Sequence, residues 1–249
     1  MNFSKSILKK LSPLFLIICA WSFISLFFDS FVLPSPLETF GRVDQFFSSD
    51  FFIHLKISGF RITLGALISF LAGSLLGVVA VLFHIKKVTE SLYVMGQTVP
   101  AIIVAVILLI LFGTGNSVPV ILIVLMVTPF VAQQTMSVLE KPDPIILMVV
   151  KSHGGGRREL IWDVYLPKLV PTMRATATLA ITMGVKVCIL GEFIGSDNGI
   201  GFLINVARLY LNMDEVLFYV TVILFQMFIF QLMIDFFFRC FLEKYFYPD

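Results

Sequence analysis

Long apolar runs separated by short polar stretches dominate this chain. A helix needs about 20 predominantly apolar residues to cross a bilayer, and six runs approach or reach that length. They predict an all-α, polytopic membrane protein with one transmembrane domain over residues 1–249. The predicted spans are residues 11–28, 62–83, 92–112, 118–138, 170–194 and 216–238.

The first run resembles a signal peptide because Lys5, Lys9 and Lys10 precede it. No A-x-A-like cleavage site follows it, however, and Cys19 is preceded by two isoleucines rather than by small residues. Cleavage by a signal peptidase requires such small residues. We therefore expect an uncleaved first helix.

Composition narrows the class of protein. The chain is 58% hydrophobic and 14% charged, with a mean hydropathy of +0.98. A soluble domain has about 45–50% apolar and about 25% charged residues. A water-soluble globule could not bury so much apolar surface, which excludes a soluble enzyme, a nucleic-acid-binding domain and a disordered regulator.

The basic residues are unevenly distributed between the two sides of the predicted bundle. Twelve of the 18 fall at the N-terminus, after span 2, between spans 4 and 5, and at the C-terminus, while only Arg42, Lys56, Arg61 and Arg208 flank the other side. Cytoplasmic loops carry the excess of Lys and Arg. This bias places both termini in the cytoplasm, which agrees with an even number of spans.

The cytoplasmic segment between spans 4 and 5 is too long for a simple turn between antiparallel helices. Residues 145–150 form a short apolar stretch, Gly154-Gly155-Gly156 interrupts it, and a second short amphipathic helix is predicted to end at Leu166-Pro167. Two interpretations remain open for residues 141–165. The segment is either a docking knob for a cytoplasmic partner or an amphipathic hairpin on the bilayer surface.

Several motifs, taken together and in order, resemble one family of permeases. The glycine at 154, followed after eleven intervening residues by Leu166-Pro167, resembles the cytoplasmic signature of ABC-importer permeases. Other motifs are similar to the subgroup that imports nitrate, sulfonates, taurine, bicarbonate and vitamin precursors. They are Val32-Leu33-Pro34-Ser35-Pro36, His54 with Ser58 and Arg61, Pro100 with Phe112-Gly113-x-Gly115, Gly191-Glu192-Phe193-Ile194-Gly195, and Gly199-Ile200-Gly201-Phe202-Leu203-Ile204.

One departure from that family concerns the Glu-Ala-Ala sequence that usually stands six residues before the glycine. Here Met148-Val149-Val150 occupies the position. The glutamate is thereby replaced by an apolar residue, so the polar contact that it would make with an ATPase is not expected.

The resemblance implies a type I importer permease that has no chemistry of its own. Two permease subunits, two cytoplasmic ATPase subunits that hydrolyse ATP-Mg and an extracytoplasmic solute-binding protein would assemble together. No G-x-x-x-x-G-K-[ST] phosphate-binding loop occurs in the sequence. The residues implied in coupling to the ATPase are Gly154, Gly155, Arg157, Arg158, Glu159, Leu166 and Pro167.

Two ionisable residues in the fifth span are candidates for the translocation path or its gate. Lys186 and Glu192 are six positions apart and lie about 120° from each other around an ideal helix, so they are not expected to pair. Lys186 either attracts an anionic solute, snorkels towards the interface, or bonds a carbonyl of another helix. Glu192 is expected to have a gate or packing role, and Asp235 to be a solvated helix-end residue near Arg239.

The remaining candidate chemistry is sparse. Cys19, Cys188 and Cys240 lie in apolar runs without ligand spacing, and the three histidines are scattered, so we expect no disulfide and no metal site. The predicted solute is small: an anion such as a sulfonate or nitrate, or a vitamin precursor. The alternative function is a self-contained secondary transporter or channel, which would place carboxylates in several spans.

Overall fold

A computed structural model describes residues 15–41, 43, 49–139, 144–156, 162 and 166–240. The described residues form helices and connecting turns, with no strand among them. The helices are α1 (Phe15–Ser25), α2 (Pro36–Gly41), α3 (Ser49–Leu82), α4 (Lys86–Thr98), α5 (Ala101–Phe112), α6 (Ser117–Val138), α7 (Pro144–Ser152), α8 (Leu166–Gly195), α9 (Ile200–Leu209) and α10 (Met213–Phe238).

The all-α membrane architecture is confirmed. Within the described residues, four helices are long and apolar enough to span a bilayer, or five if α4 and α5 together make one span. Those four are α3, α6, α10 and the Thr172–Gly195 part of α8. The first predicted span is described only in part, as α1, and the count of six stays a prediction.

The third apolar run differs from the single helix that its hydropathy predicts. Helices α4 and α5 meet at an angle of 83°. The break lies at Val99, whose ψ of 123° is extended, and Pro100, which precedes the first residue of α5. A proline disfavours helical backbone in the residue before it and has no N–H to continue the ladder. The proline therefore explains the break.

Helix α3 begins 13 residues before the span that hydropathy predicts. His54, Lys56, Ser58 and Arg61 lower the apolar signal of its first four turns, but the backbone is helical throughout. The prediction that treats Arg61 as a charge flanking a span is wrong, because this side chain is fully buried inside the bundle. The overall bias of basic residues does not depend on it.

Close packing of α3 against α6 depends on glycines in α3. A Cβ atom at Gly65 would lie 2.8 Å from the Ile123 side chain, and one at Gly73 or Gly77 would lie 2.7 Å from a backbone carbonyl of α6. Small residues at a helix interface allow such close approach in lipid. These glycines therefore serve the close packing of α3 against α6.

Helix α8 is central, since it contacts α3, α5, α6, α9 and α10. It begins at Leu166-Pro167, four residues before the span that hydropathy predicts. The short helix that is predicted to end at this pair lies, apart from Trp162, outside the described residues. Proline is favoured in a first helical turn because the N–H groups there have no partner in the helix. Val185 and Cys188 of α8 are buried against Ile123 and Val127 of α6 in the core.

Candidate functional site

A fully buried ion pair lies where α8 ends and α9 begins. The Nη1 atom of Arg61, on α3, is 2.9 Å from Oε1 of Glu192, on α8, and both side chains have 0% exposure. Charges with so little access to water must be compensated by neighbouring groups. The partners of each charge therefore decide whether this pair is stable.

The Glu192 carboxylate has further donors besides Arg61. Ser58 Oγ lies 2.8 Å from both carboxylate oxygens. The backbone N–H of Gly201 donates to Oε2 at 2.9 Å. Because Gly201 is in the first turn of α9, the carboxylate also faces the positive end of a helix dipole. These groups together stabilise the negative charge of the carboxylate.

The Arg61 guanidinium connects three separate segments. Its Nε donates to Asn116 Oδ1 at 2.9 Å, immediately before α6. Its Nη1 also donates to the carbonyl of Asn198 at 2.9 Å, and its Nη2 donates to the side-chain oxygens of both asparagines. Ser58, Arg61, Asn116, Glu192, Asn198 and the Gly201 backbone are called the Glu192 cluster below. The planar guanidinium fits such a set of acceptors, whereas a lysine offers no comparable fork.

The turn between α8 and α9 closes around this cluster because it contains glycines. Gly199 has φ 102°, and a Cβ atom there would overlap the Glu192 carboxylate. A Cβ atom at Gly201 would overlap the carbonyl of Ile189. The glycines that follow Glu192 in the sequence therefore make space for its carboxylate and for the start of α9.

Further hydrogen bonds join the α5–α6 turn and α3 to the end of α8 and the turn that follows it. The Gly115 N–H donates to the Gly195 carbonyl at 3.1 Å, and Ser196 Oγ donates to the Gly115 carbonyl at 2.9 Å. Gly113 and Gly115 have φ of 72° and 134°, as expected for glycines in this turn. On α3, His54 Nδ1 accepts from the Gly199 N–H at 2.9 Å.

The second candidate in this span is in a very different environment. Lys186 is exposed on α8, and no hydrogen bond or ion pair joins it to another of the described residues. Glu192 lies about 9 Å further along the helix, from the rise of 1.5 Å per residue. The structure thus separates the two predicted path residues: Glu192 is bonded inside the bundle, while Lys186 is on its surface.

A second ion pair joins α8 to α10 near the beginning of α8. Arg174 Nη2 and Nε donate to Asp235 Oδ1 at 2.9 and 3.3 Å, and the side chains have 26% and 21% exposure. The prediction that Asp235 is a solvated helix-end residue is therefore wrong. The prediction relied on the i, i+4 spacing of Asp235 and Arg239, and this local spacing gives no information about Arg174, which is 61 residues away in sequence.

The predicted coupling residues are only partly described. Gly154 follows α7 with φ 76°, and Gly155 N–H donates to the Val150 carbonyl at 2.9 Å, so the glycines end α7. Leu166 and Pro167 open α8. Arg157, Arg158 and Glu159 lie outside the described residues.

Of the cluster, hydropathy indicated only Glu192 as a candidate. The other members of the cluster come from three separated parts of the chain, and single motifs contain no information on which of them meet. One signal was present: His54, Ser58 and Arg61 have i, i+4, i+7 spacing, which places polar residues along one face of a helix. Among the described residues, no group of three or more His, Cys, Asp or Glu side chains could hold a metal ion.

The chain is similar to known transport permeases. It is 24% identical over 207 residues to the taurine transport system permease protein TauC of Escherichia coli, covering 80% of this chain and 75% of that protein. It is 26% identical to the formylaminopyrimidine transport permease protein ThiX of Halalkalibacterium halodurans, covering 69% of each. It is 28% identical to the putative aliphatic sulfonates transport permease protein SsuC of Bacillus subtilis, covering 74% of this chain and 68% of that one.

The fold is that of a solved transporter subunit. A chain of the inward-facing MetNI methionine ABC transporter matches with a TM-score of 0.63 at 15% identity, covering 78% of this chain and 98% of that chain. A family model described as binding-protein-dependent transport system inner membrane component matches residues 65–246. This match includes α6, residues 141–165 and Glu192. The chain belongs to the family of binding-protein-dependent transport system inner membrane components, and it is a transport permease.

Proposed function

We propose that this chain is one of two permease subunits of an ATP-binding-cassette importer and forms the path for a small solute delivered by a solute-binding protein. The family match over residues 65–246 carries the proposal. Hydrolysis of ATP-Mg takes place on two separate cytoplasmic ATPase subunits. The self-contained secondary transporter or channel has no comparable support.

The orientation of the chain follows from its charges. The excess of Lys and Arg around residues 141–165 favours a cytoplasmic position for this segment and for both termini. The Glu192 cluster is then at the extracytoplasmic end of the bundle. A cleft of about 480 Å³ opens at the loops around residues 29–55 and 195–215, where we expect the binding protein to dock; it is lined by Glu38, Tyr210 and Asp214 among others.

Coupling to the ATPase is assigned to residues 141–165 together with Leu166-Pro167. Within α7, Ile145, Met148 and Val149 are exposed and share one face by their i, i+3, i+4 spacing. An apolar face of this kind suits insertion into a cleft of another protein. Because α8 begins directly after this segment, movement of the segment is transmitted to the central helix of the bundle.

The two path candidates receive different roles. Glu192 holds the extracytoplasmic end of α8 in place through its buried partners, which is the packing or gate role. Lys186 faces the path. ATP-driven closure of the ATPase dimer would shift the population between inward-open and outward-open states, and the permease supplies the two states.

Co-purification tests this assignment. The affinity-tagged chain is expressed with the candidate ATPase from a neighbouring gene, and the amount of ATPase retained is measured. Gly154→Leu and Arg158→Glu are expected to lower retention and ATP hydrolysis without changing the yield of folded permease, because they alter the proposed contact surface. Gly41→Leu is the matched control, since no atom of the described residues lies within 4 Å of a Cβ at that position. Unchanged retention in both coupling variants would contradict the coupling role, and failure of the unaltered chain to retain the ATPase would contradict the importer function.

A further inference from the structure

We propose that the open face of α8 is an anion site whose charged group is Lys186, and that the transported solute carries a negative charge. This inference rests on the proposed importer function and specifies its substrate class. Its starting point is that one face of the central helix is left uncovered by the described residues.

The open face is a stripe at helical spacing. Ala175, Leu179 and Lys186 are exposed, and Thr182 between them is partly exposed. Intervals of four, three and four residues place these positions on one side of a helix. The same helix contacts five others with its remaining surface. The stripe is therefore the side of α8 available to a second subunit and to the path between subunits.

Lys186 lies at membrane depth within this stripe. It is about 18 Å from Arg174 and about 14 Å from Gly195 along the helix axis, from the rise per residue. A charged side chain there is disfavoured in lipid. The nearer end of α8 for Lys186 is its C-terminal end. Side chains on a helix lean towards the N-terminus, so the geometry opposes snorkelling of the ammonium group to that nearer end. Lys186 consequently requires water or a negative partner on the open face.

The other charged groups of α8 between Thr172 and Gly195 are already paired. Arg174 is paired with Asp235, and Glu192 is paired with Arg61. The stripe itself contains no acidic residue, so the same stripe on an identical partner subunit would offer no carboxylate to Lys186. Two such lysines across a two-fold axis would repel each other. An anion passing between them relieves this repulsion.

The threonine of the stripe does not replace the lysine as a donor. Thr182 Oγ1 already donates to the Thr178 carbonyl at 2.8 Å. Its remaining capacity is as an acceptor, which suits bound water rather than an anion. Lys186 is then the group of this stripe that distinguishes an anion from a neutral solute.

Transport by the complete complex tests the substrate class. The chain, its ATPase and its binding protein are reconstituted in liposomes, and uptake is measured for taurine and ethanesulfonate, which carry a sulfonate, and for riboflavin, which carries no formal charge. Lys186→Met is expected to lower the rate of sulfonate uptake by about tenfold or more, the effect of losing one charge-assisted hydrogen bond. Lys186→Arg is expected to retain most of the rate, and Lys56→Met, at an exposed lysine of α3, to retain all of it.

Chemical rescue separates charge from structure. In a chain with Lys186→Cys, a methanethiosulfonate reagent with an aminoethyl group restores a positive side chain, and the sulfonatoethyl reagent introduces a negative one. Rescue of uptake by the first reagent only, with no effect of either on the chain that retains Lys186, is the expected result. If neither reagent reached the introduced thiol in the assembled complex, the open face of α8 would not be accessible to water, and the anion site would be overturned.

The outcomes for the two proposals differ. ATP-dependent uptake of riboflavin without sulfonate uptake, or sulfonate uptake that is normal in Lys186→Met, would overturn the anion site and leave the importer function intact. Loss of subunit assembly in Lys186→Met would also overturn it, because the lysine would then serve the subunit interface rather than the solute. Absence of any ATPase association would contradict the importer function itself.

Discussion

The two ion pairs of α8 have the same chemistry but different surroundings. Arg61–Glu192 and Arg174–Asp235 are both closed by an Nη–O distance of 2.9 Å. The first pair has 0% exposure at the end of α8, while the second keeps 26% and 21% exposure near its beginning. Distance alone therefore does not indicate how strongly an ion pair matters for the fold.

Burial decides how much stability is lost when one partner of an ion pair is removed. A charge left alone in the interior has no water to replace its partner, and removing one member of a buried pair costs about 3–5 kcal/mol. A partly exposed pair is screened, and its loss costs about 1 kcal/mol or less. The Glu192 cluster is thus expected to be the rigid end of the permease, and the Arg174–Asp235 end the more adaptable one.

The largest effect is expected from Glu192→Gln or Arg61→Met. Each leaves a buried group without its charged partner, and each should lower the free energy of unfolding by about 3–5 kcal/mol. The check is the fraction of detergent-solubilised protein that stays monodisperse in size-exclusion chromatography after heating. Glu90→Gln, at a partly exposed glutamate paired with Lys86 on α4, is the matched control and should change little.

The double variant Arg61→Met/Glu192→Met sharpens this result. Because both charges are removed together, its loss of unfolding free energy should be smaller than the sum of the losses in the two single variants. Additive losses would mean that the two residues act independently, and the description of the cluster as one unit would be wrong.

An intermediate effect is expected from the glycine that makes space for the cluster. Gly199 and Gly113 have similar extended backbone with positive φ, at φ 102° ψ 170° and φ 72° ψ −172°. An alanine is strained at both, but only at position 199 would its Cβ meet the Glu192 carboxylate. Gly199→Ala should therefore be about 2 kcal/mol less stable than Gly113→Ala, the typical cost of overpacking. Equal losses in the same thermal assay would show that backbone strain, not the carboxylate, selects glycine at 199.

The smallest effect is expected from Asp235→Asn. Its partner Arg174 stays partly hydrated, so a loss of about 1 kcal/mol or less is expected. Asp197→Asn, at an exposed aspartate beyond the end of α8, provides the reference for an uncoupled change. A loss as large as that of Glu192→Gln would remove the contrast between the two ends of the bundle.

The spans were predictable where the apolar signal is uninterrupted. Residues 118–138 and 216–238 are predicted, and the structure has Ser117–Val138 and Met213–Phe238. Prediction was less accurate where polar residues lie inside a helix. The first four turns of α3 contain His54, Ser58 and Arg61, and hydropathy treats them as loop because it cannot anticipate their buried partners.

The candidate site was predictable as a list of motifs and not as an arrangement. Glu192 and the glycines around it stood out in the sequence, and so did the polar residues of α3. Their contacts span 131 residues between Arg61 and Glu192 and 55 between Arg61 and Asn116. No local pattern specifies a pairing over such separations, because it depends on how α3, α6 and α8 pack.

The sequence by itself determined that this is a helical membrane protein, since so many long apolar runs cannot be exposed to water. It also indicated a transport permease, because its motifs occur in the order that is typical of that family. Only the tertiary structure decided which charges are compensated. It placed Glu192 beside Arg61 and Asp235 beside Arg174, and left Lys186 on the open face of α8. The physical reason is that the free energy of a charge at membrane depth depends on its neighbours in space, and neighbours in space are set by helix packing rather than by position in the chain.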